Sequence, residues 1–215
     1  MPLLVLPDPS RLGFFVVSAL VLLLTPGPAV LYIVARSLDQ GRRAGLVSML
    51  GVHAGTLVHV GAAAAGLSAL LMTSATAFAV VKYLGAAYLV YLGVRRLLDR
   101  AEPMAVSGGE RSLRRAFLEG VVVNVLNPKT ALFFLAFLPQ FVDPARGAVG
   151  AQVLALGMLF VALGVVTDGL YALSAGHAGH WLRKGGGVIR AQRYVTGSVY
   201  IGLGLVAAFA DGRRK

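Results

Sequence analysis

Cysteine is absent from the sequence, which removes disulfide frameworks, thiolate chemistry and zinc-finger sites from consideration. Charge is scarce. Only 13% of the 215 residues are charged, whereas soluble domains carry about 25%. Acidic residues are fewest, nine Asp and Glu against twenty Lys and Arg, leaving a net charge of +11. No glycine-rich phosphate loop occurs, which argues against an ATP-driven pump. There is no nucleophile elbow, no zinc-protease motif and no convergent nucleophile and base, so neither an enzyme nor a bound cofactor is expected. No cleavable signal peptide is evident, because residues 1–10 carry no basic residue and no convincing small-residue cleavage pattern follows. The first apolar run is therefore expected to be retained.

What the sequence has in excess is apolar residues, 57% of the chain, with a mean hydropathy of +0.77. A bilayer crossing needs roughly 20 mostly apolar residues. Six such segments stand out, at about 12–35, 44–72, 76–98, 116–137, 148–175 and 194–210. Backbone groups cannot stay unpaired in lipid, so each segment is expected to be helical, and the runs are continuous rather than alternating as in a β-barrel. The expected fold is an all-α membrane protein of six transmembrane helices, a single polytopic domain over residues 1–215.

The basic residues cluster at the ends of the apolar runs and form no stripe on a polar surface, so nucleic acid is not an expected partner. Arg36, Arg42 and Arg43 lie between spans one and two. Arg95, Arg96, Arg100, Arg111, Arg114 and Arg115 lie between spans three and four, and Arg183, Lys184, Arg190 and Arg193 between five and six. The opposite side has Arg11, Lys82 and Arg146, with Arg213, Arg214 and Lys215 in the tail. Positive-inside orientation then makes the first group cytoplasmic and puts both termini outside.

The two halves resemble one another. Lys82-Tyr83 opens span three as Arg193-Tyr194 opens span six, and Gly93 matches Gly204 at the same offset. Span one is interrupted by Thr25-Pro26-Gly27-Pro28, and span four by Asn127-Pro128-Lys129-Thr130. Three spans per half imply opposite insertion of the halves, a 3+3 inverted repeat with broken helices one and four. Paired interruptions of this kind point to a transporter's binding site near the bilayer midplane. Proline removes a donor and clashes with the preceding turn, so Pro26 and Pro128 free amides and carbonyls there. The freed groups, with Pro28 and Gly27 in the first break, can hold the carboxylate and ammonium of a zwitterion.

Ionisable residues inside spans are functional candidates. Lys129 lies within span four, and its expected partner is Asp168, the acidic residue within span five. Asp168 is also a candidate proton carrier. Asn124 and Asn127, three apart, can hydrogen-bond substrate or cap the broken helix. His59, deep in span two, is either an interhelical hydrogen-bonder or a proton carrier. His53 shares no helix face with it, so the two form no local metal pair. His177 and His180 carry the spacing of a weak metal site without nearby carboxylates, and no metal site is expected. Gly51 with Gly55 and Gly41 with Gly45 read as helix-packing pairs.

In order along the chain, Thr25-Pro26-Gly27-Pro28, Gly41-Arg42-Arg43-Ala44-Gly45, Gly51-Val52-His53-Ala54-Gly55, Lys82-Tyr83-Leu84-Gly85-Ala86-Ala87-Tyr88-Leu89, Val123-Asn124-Val125-Leu126-Asn127-Pro128-Lys129-Thr130 and Phe137-Leu138-Pro139-Gln140-Phe141 resemble the LysE/RhtB family of bacterial amino-acid exporters. The resemblance implies efflux of an amino acid or derivative across the bacterial inner membrane, of the homoserine, homoserine lactone, threonine, leucine or lysine type. It implies the proton gradient as driving force. It supports Pro26, Gly27, Pro28, Asn124, Asn127, Pro128, Lys129 and Asp168 as site residues, with His59 where some members have histidine. The expected partners are an amino acid, protons and the bilayer; a homo-oligomer is left open. An exporter of metal ions would want clustered His, Cys or carboxylates in its spans. An aquaporin-like channel would want Asn-Pro in both halves. A membrane protein without transport is the remaining alternative.

Overall fold

A proline in mid-helix leaves the carbonyl four residues earlier without its donor, and the helix bends or unwinds there. The first span does so at residues 25–27. Helix α1 (Pro9–Leu24) stops at the break, and α2 (Pro28–Gln40) starts from an extended Gly27 with Pro28 in its first turn. Proline is at home in that turn, where its missing N–H has no helical partner to lose. The computed structural model describes residues 9–73, 112–146 and 148–182, with scattered positions between 80 and 98 and between 194 and 205. Apart from those positions, expected spans three and six and their Lys82-Tyr83 and Arg193-Tyr194 match lie outside the described residues. So do the side chains of His177 and His180.

Gly41 follows α2 at φ +83°, in the left-handed region that glycine tolerates, and ends the helix. It is therefore a helix stop rather than one half of a packing pair with Gly45. After it comes the long α3 (Arg42–Thr73). Ser112 caps α4 (Leu113–Val125) by accepting from the Arg115 amide at 3.3 Å. The Asn127-Pro128 break follows. Asn127 caps the next helix, its side chain accepting from the Lys129 amide at 3.1 Å. That helix, α5 (Pro128–Leu132), loosens into a π turn (Phe133–Phe137) and a 3₁₀ turn (Leu138–Phe141) before α6 (Val149–Leu182).

All described regular structure is helical. Two helices, over Arg42–Gly66 and Val149–Ala175, are long and apolar enough to cross a membrane singly. Two bent pairs qualify as broken spans, Arg11–Leu24 with Pro28–Gln40 at 50° and Leu113–Val125 with Pro128–Phe141 at 47°. Both sequence breaks therefore become bends of nearly equal size. Large apolar side chains such as Phe14, Val17, Leu57, Met158, Val166 and Leu170 stand exposed on α1, α3 and α6. An apolar exterior of that extent suits lipid rather than water.

Helix α3 packs against α4 on one side and α6 on the other. Its Gly51 and Gly55 and the Gly120 of α4 let the two backbones touch, as small-residue pairs do in membranes. A Cβ at Gly55 would lie 2.8 Å from the Val121 carbonyl oxygen, one at Gly120 2.6 Å from that of Ser48, and one at Gly51 would overlap that of Phe117. On the other face, Gly157 receives Val60 and Gly164 receives the His53 ring. Two apolar clusters result. The larger joins Phe15, Leu22, Phe133, Phe137, Leu156 and Phe160 among others, and the smaller joins Ala29, Tyr32, Ile33, Met49, Val52 and Ala172. The polar interior of the molecule lies between them.

Candidate functional site

Three carbonyls orphaned by prolines locate the site, because each must find another donor in the absence of water. The Leu22 carbonyl, deprived by Pro26, accepts from the Thr25 amide at 3.1 Å. The Leu24 carbonyl, deprived by Pro28, accepts from the Tyr171 hydroxyl of α6 at 2.8 Å. The Asn124 carbonyl, deprived by Pro128, accepts from the Asn127 amide at 3.1 Å and from His59 Nε2 at 3.0 Å. His59 also stacks on Phe134 with 6.2 Å between ring centroids. Each break is thus tied to a helix from elsewhere in the chain.

Lys129 joins the two breaks directly. Its ammonium donates to the Thr25 carbonyl at 2.5 Å, and the residue is only 7% exposed. The stem passes over Gly27, where a Cβ would sit 3.1 Å from Lys129 Cδ. Glycine in the first break therefore makes room for the lysine of the second. The Thr25 hydroxyl turns back to the Val21 carbonyl at 2.6 Å and takes no part in holding the amine.

The expected partner of Lys129 was Asp168, and the structure differs. Asp168 lies 3.2 Å from His53, between its Oδ2 and the ring Nε2, with both side chains buried. Lys129 and Asp168 both face one cavity of about 30 Å³ without forming an ion pair. The rotation of α6 turns Asp168 toward α3, where Gly164, one turn earlier, opens a slot for the imidazole. Among the described residues, His53 Nδ1 and Asp168 Oδ1 are buried without hydrogen-bond partners.

The cavity wall holds Gly27, Asn124, Asn127, Lys129, Thr130 and Asp168, together with His53 and Thr56 of α3 and the apolar Leu22, Leu23, Ala29, Val30, Val52 and Phe160. Pro26, Pro28, Pro128 and His59 do not line it; they shape or support the breaks. Asn124 is the junction of the wall. Its Nδ2 donates to the Val52 carbonyl and to Thr56 Oγ1, each at 2.8 Å. Its Oδ1 accepts from Thr130 Oγ1 at 2.9 Å and from Asn127 Nδ2 at 3.3 Å. His53, considered from the sequence only as a metal partner of His59, and Thr56 were not among the expected site residues; their three-residue spacing on one face of α3 was the available signal. No group of three His, Asp or Glu side chains among the described residues is placed to hold a metal ion.

The smaller apolar cluster contributes Ala29 and Val52 to the cavity wall, and polar contacts tie the same helices together. The Tyr32 hydroxyl donates to the Ala116 carbonyl at 2.7 Å, and Ser37 donates to the Ala172 carbonyl. Arg36 pairs with Glu119, which Arg115 also contacts at 3.0 Å. Arg36 was expected in a polar connection; instead α2 runs on to Gln40 and the residue is 2% exposed. Its carboxylate partner on α4 is what permits that burial.

The family model for LysE type translocators matches residues 20–210. An uncharacterized membrane protein of Vibrio cholerae is 32% identical over 91% of this chain and 95% of its own length. A homoserine/homoserine lactone efflux protein of Salmonella typhimurium is 29% identical over 91% of this chain and 95% of its own. A leucine efflux protein of an Enterobacter strain is 33% identical over 66% of this chain and 68% of its own. No solved structure matches the chain.

Proposed function

The chain belongs to the LysE type translocator family, a transporter and not an enzyme, and from that premise we propose that it exports an amino acid or close derivative in exchange for protons. The observation that carries the reading is the meeting of both broken spans at one cavity lined by Lys129 and Asp168. The cargo carboxylate is assigned to the Lys129 ammonium and the first amides of α2, at the positive end of that helix's dipole. The cargo ammonium is assigned to Asp168 Oδ1, which is buried without a partner. Asp168 then holds either cargo or a proton, the requirement of antiport, with His53 as its proton-sharing neighbour. His59 is assigned to support, since its ring nitrogen serves the Asn124 carbonyl outside the cavity wall. The relatives named for homoserine, homoserine lactone and leucine efflux agree with a zwitterionic or amine-bearing cargo.

A cavity of about 30 Å³ has room for one or two waters rather than an amino acid. Cargo entry therefore requires the half-helices to part, and we assign that movement to rocking of the two halves of a six-span, 3+3 inverted repeat in the bacterial inner membrane. Cells expressing the chain are expected to release at least one amino acid several-fold faster than vector controls and to tolerate its dipeptide better. A broad efflux panel indistinguishable from vector overturns the proposal.

The orientation assigned by the basic connections puts both termini outside the cytoplasm. A periplasm-active reporter fused to either end is expected to be active, and a cytoplasm-active one silent. The reverse pattern inverts the assignment.

A further inference from the structure

We infer that the far half of α2 is a gate beside the cavity, latched shut by the Arg36–Glu119 pair, and that its release opens the way for cargo entry. The inference rests on the export reading above and names the part that moves within it. Val30, Asn124 and Asp168 line the cavity. Arg36 lies six residues beyond Val30, Glu119 five before Asn124 and Ala172 four beyond Asp168. At about 1.5 Å per residue, all three stand about 6–9 Å along their helices from the cavity wall. There Arg36 pairs with Glu119, the Tyr32 hydroxyl donates to the Ala116 carbonyl at 2.7 Å, and Ser37 donates to the Ala172 carbonyl. The latch therefore joins α2 to α4 and α6 on one side of the cavity. On the proposed orientation that side is cytoplasmic.

The helices that α2 closes against are fixed to one another. Helices α3 and α4 meet backbone to backbone at Gly51, Gly55 and Gly120, and α6 receives Val60 and His53 of α3 at Gly157 and Gly164. Helix α2 is bounded instead by an extended Gly27 and a left-handed Gly41, and element ends are where hinge rotations are absorbed. Its far half is held by polar bonds that water can replace. Arg36 gains from that exchange, because it is 2% exposed and its Nε and Nη1 are buried without hydrogen-bond partners among the described residues. Glu119 keeps a second partner, since Arg115 donates to its Oε1 at 3.0 Å. Release thus hydrates the arginine and leaves the carboxylate paired.

The test uses the full-length chain, which has no cysteine of its own, in inside-out membrane vesicles. A single thiol is placed by Ser37→Cys in the latch or by Ser48→Cys at the α3–α4 contact, both at buried residues, and its reaction with a membrane-impermeant maleimide is timed. Glu119→Gln strands the buried arginine, so labelling at position 37 is expected to rise at least about tenfold. Tyr32→Phe removes one donor and is expected to raise it about threefold. The tyrosine variant decides alone if Glu119→Gln is not recovered in membranes. Labelling at position 48 is expected to stay slow in both. An unchanged rate at position 37 overturns the latch, and so does an equal rise at both positions, the mark of a general loosening. Labelling at position 37 from right-side-out vesicles alone overturns its place at the entrance. No cargo is used, so each of these results leaves the export reading to the efflux panel.

Discussion

Asp168→Asn abolishes export, with the rate expected to fall at least about a hundredfold, equivalent to about 2.7 kcal/mol, while the protein still inserts in the membrane. Asparagine keeps the shape that fits beside His53 and Gly164, so packing is preserved. What it removes is the negative charge together with the oxygen to which the proposed antiport assigns the proton. On the proposed assignment the cargo ammonium then has no counter-charge, and truncating one partner of a buried pair is costly because the other charge is left behind. Lys129→Met is expected to do the same to the carboxylate end. Methionine keeps a flexible stem to pass over Gly27, where a Cβ would sit 3.1 Å from Lys129 Cδ, but cannot donate to the Thr25 carbonyl. Export is read as cargo release from cells and insertion as the amount of protein in washed membranes. Normal release by either variant overturns the assignment of that residue.

Gly51→Val is expected to remove the folded protein from the membrane, and Gly51→Ala to lower its stability by about 1–3 kcal/mol, the cost of overpacking a close contact. The contact is backbone against backbone, so no side chain can swing aside. A Cβ on residue 51 would overlap the Phe117 carbonyl, and one on residue 120 would lie 2.6 Å from that of Ser48. Helices α3 and α4 must then separate, which also withdraws Asn124 from Val52 and Thr56. Gly13→Ala and Gly61→Ala serve as controls, since nothing lies within 4 Å of a Cβ at either position. Thermal denaturation in detergent is the measurement. Wild-type melting of Gly51→Val would show that the close approach does not hold the two helices.

The second variant series depends on a feature that was readable in advance, the Gly51 and Gly55 spacing, and the first depends partly on one that was not. Lys129 and Asp168 could be picked out because a charge in an apolar run needs a reason to be there. Their pairing could not. Which way α6 presents Asp168 is set by the glycines at 157 and 164, which admit Val60 and His53. In helices apolar on every face no hydrophobic stripe marks the inward side. That His53 stands beside Asp168 stayed hidden for the same reason. Arg36 looked like a loop cation because its partner, Glu119, is 83 residues away in sequence.

The sequence alone settled the helical membrane character and the places where two spans break, because those follow from the length of apolar runs and from the missing donor of proline. Both are local properties. The tertiary structure decided that Lys129 grips the Thr25 carbonyl, that Asp168 turns to His53, and that His59 serves the carbonyl freed by Pro128. Each of these joins groups far apart in the chain, and their distance is governed by helix rotation and close approach in space, which no local pattern encodes.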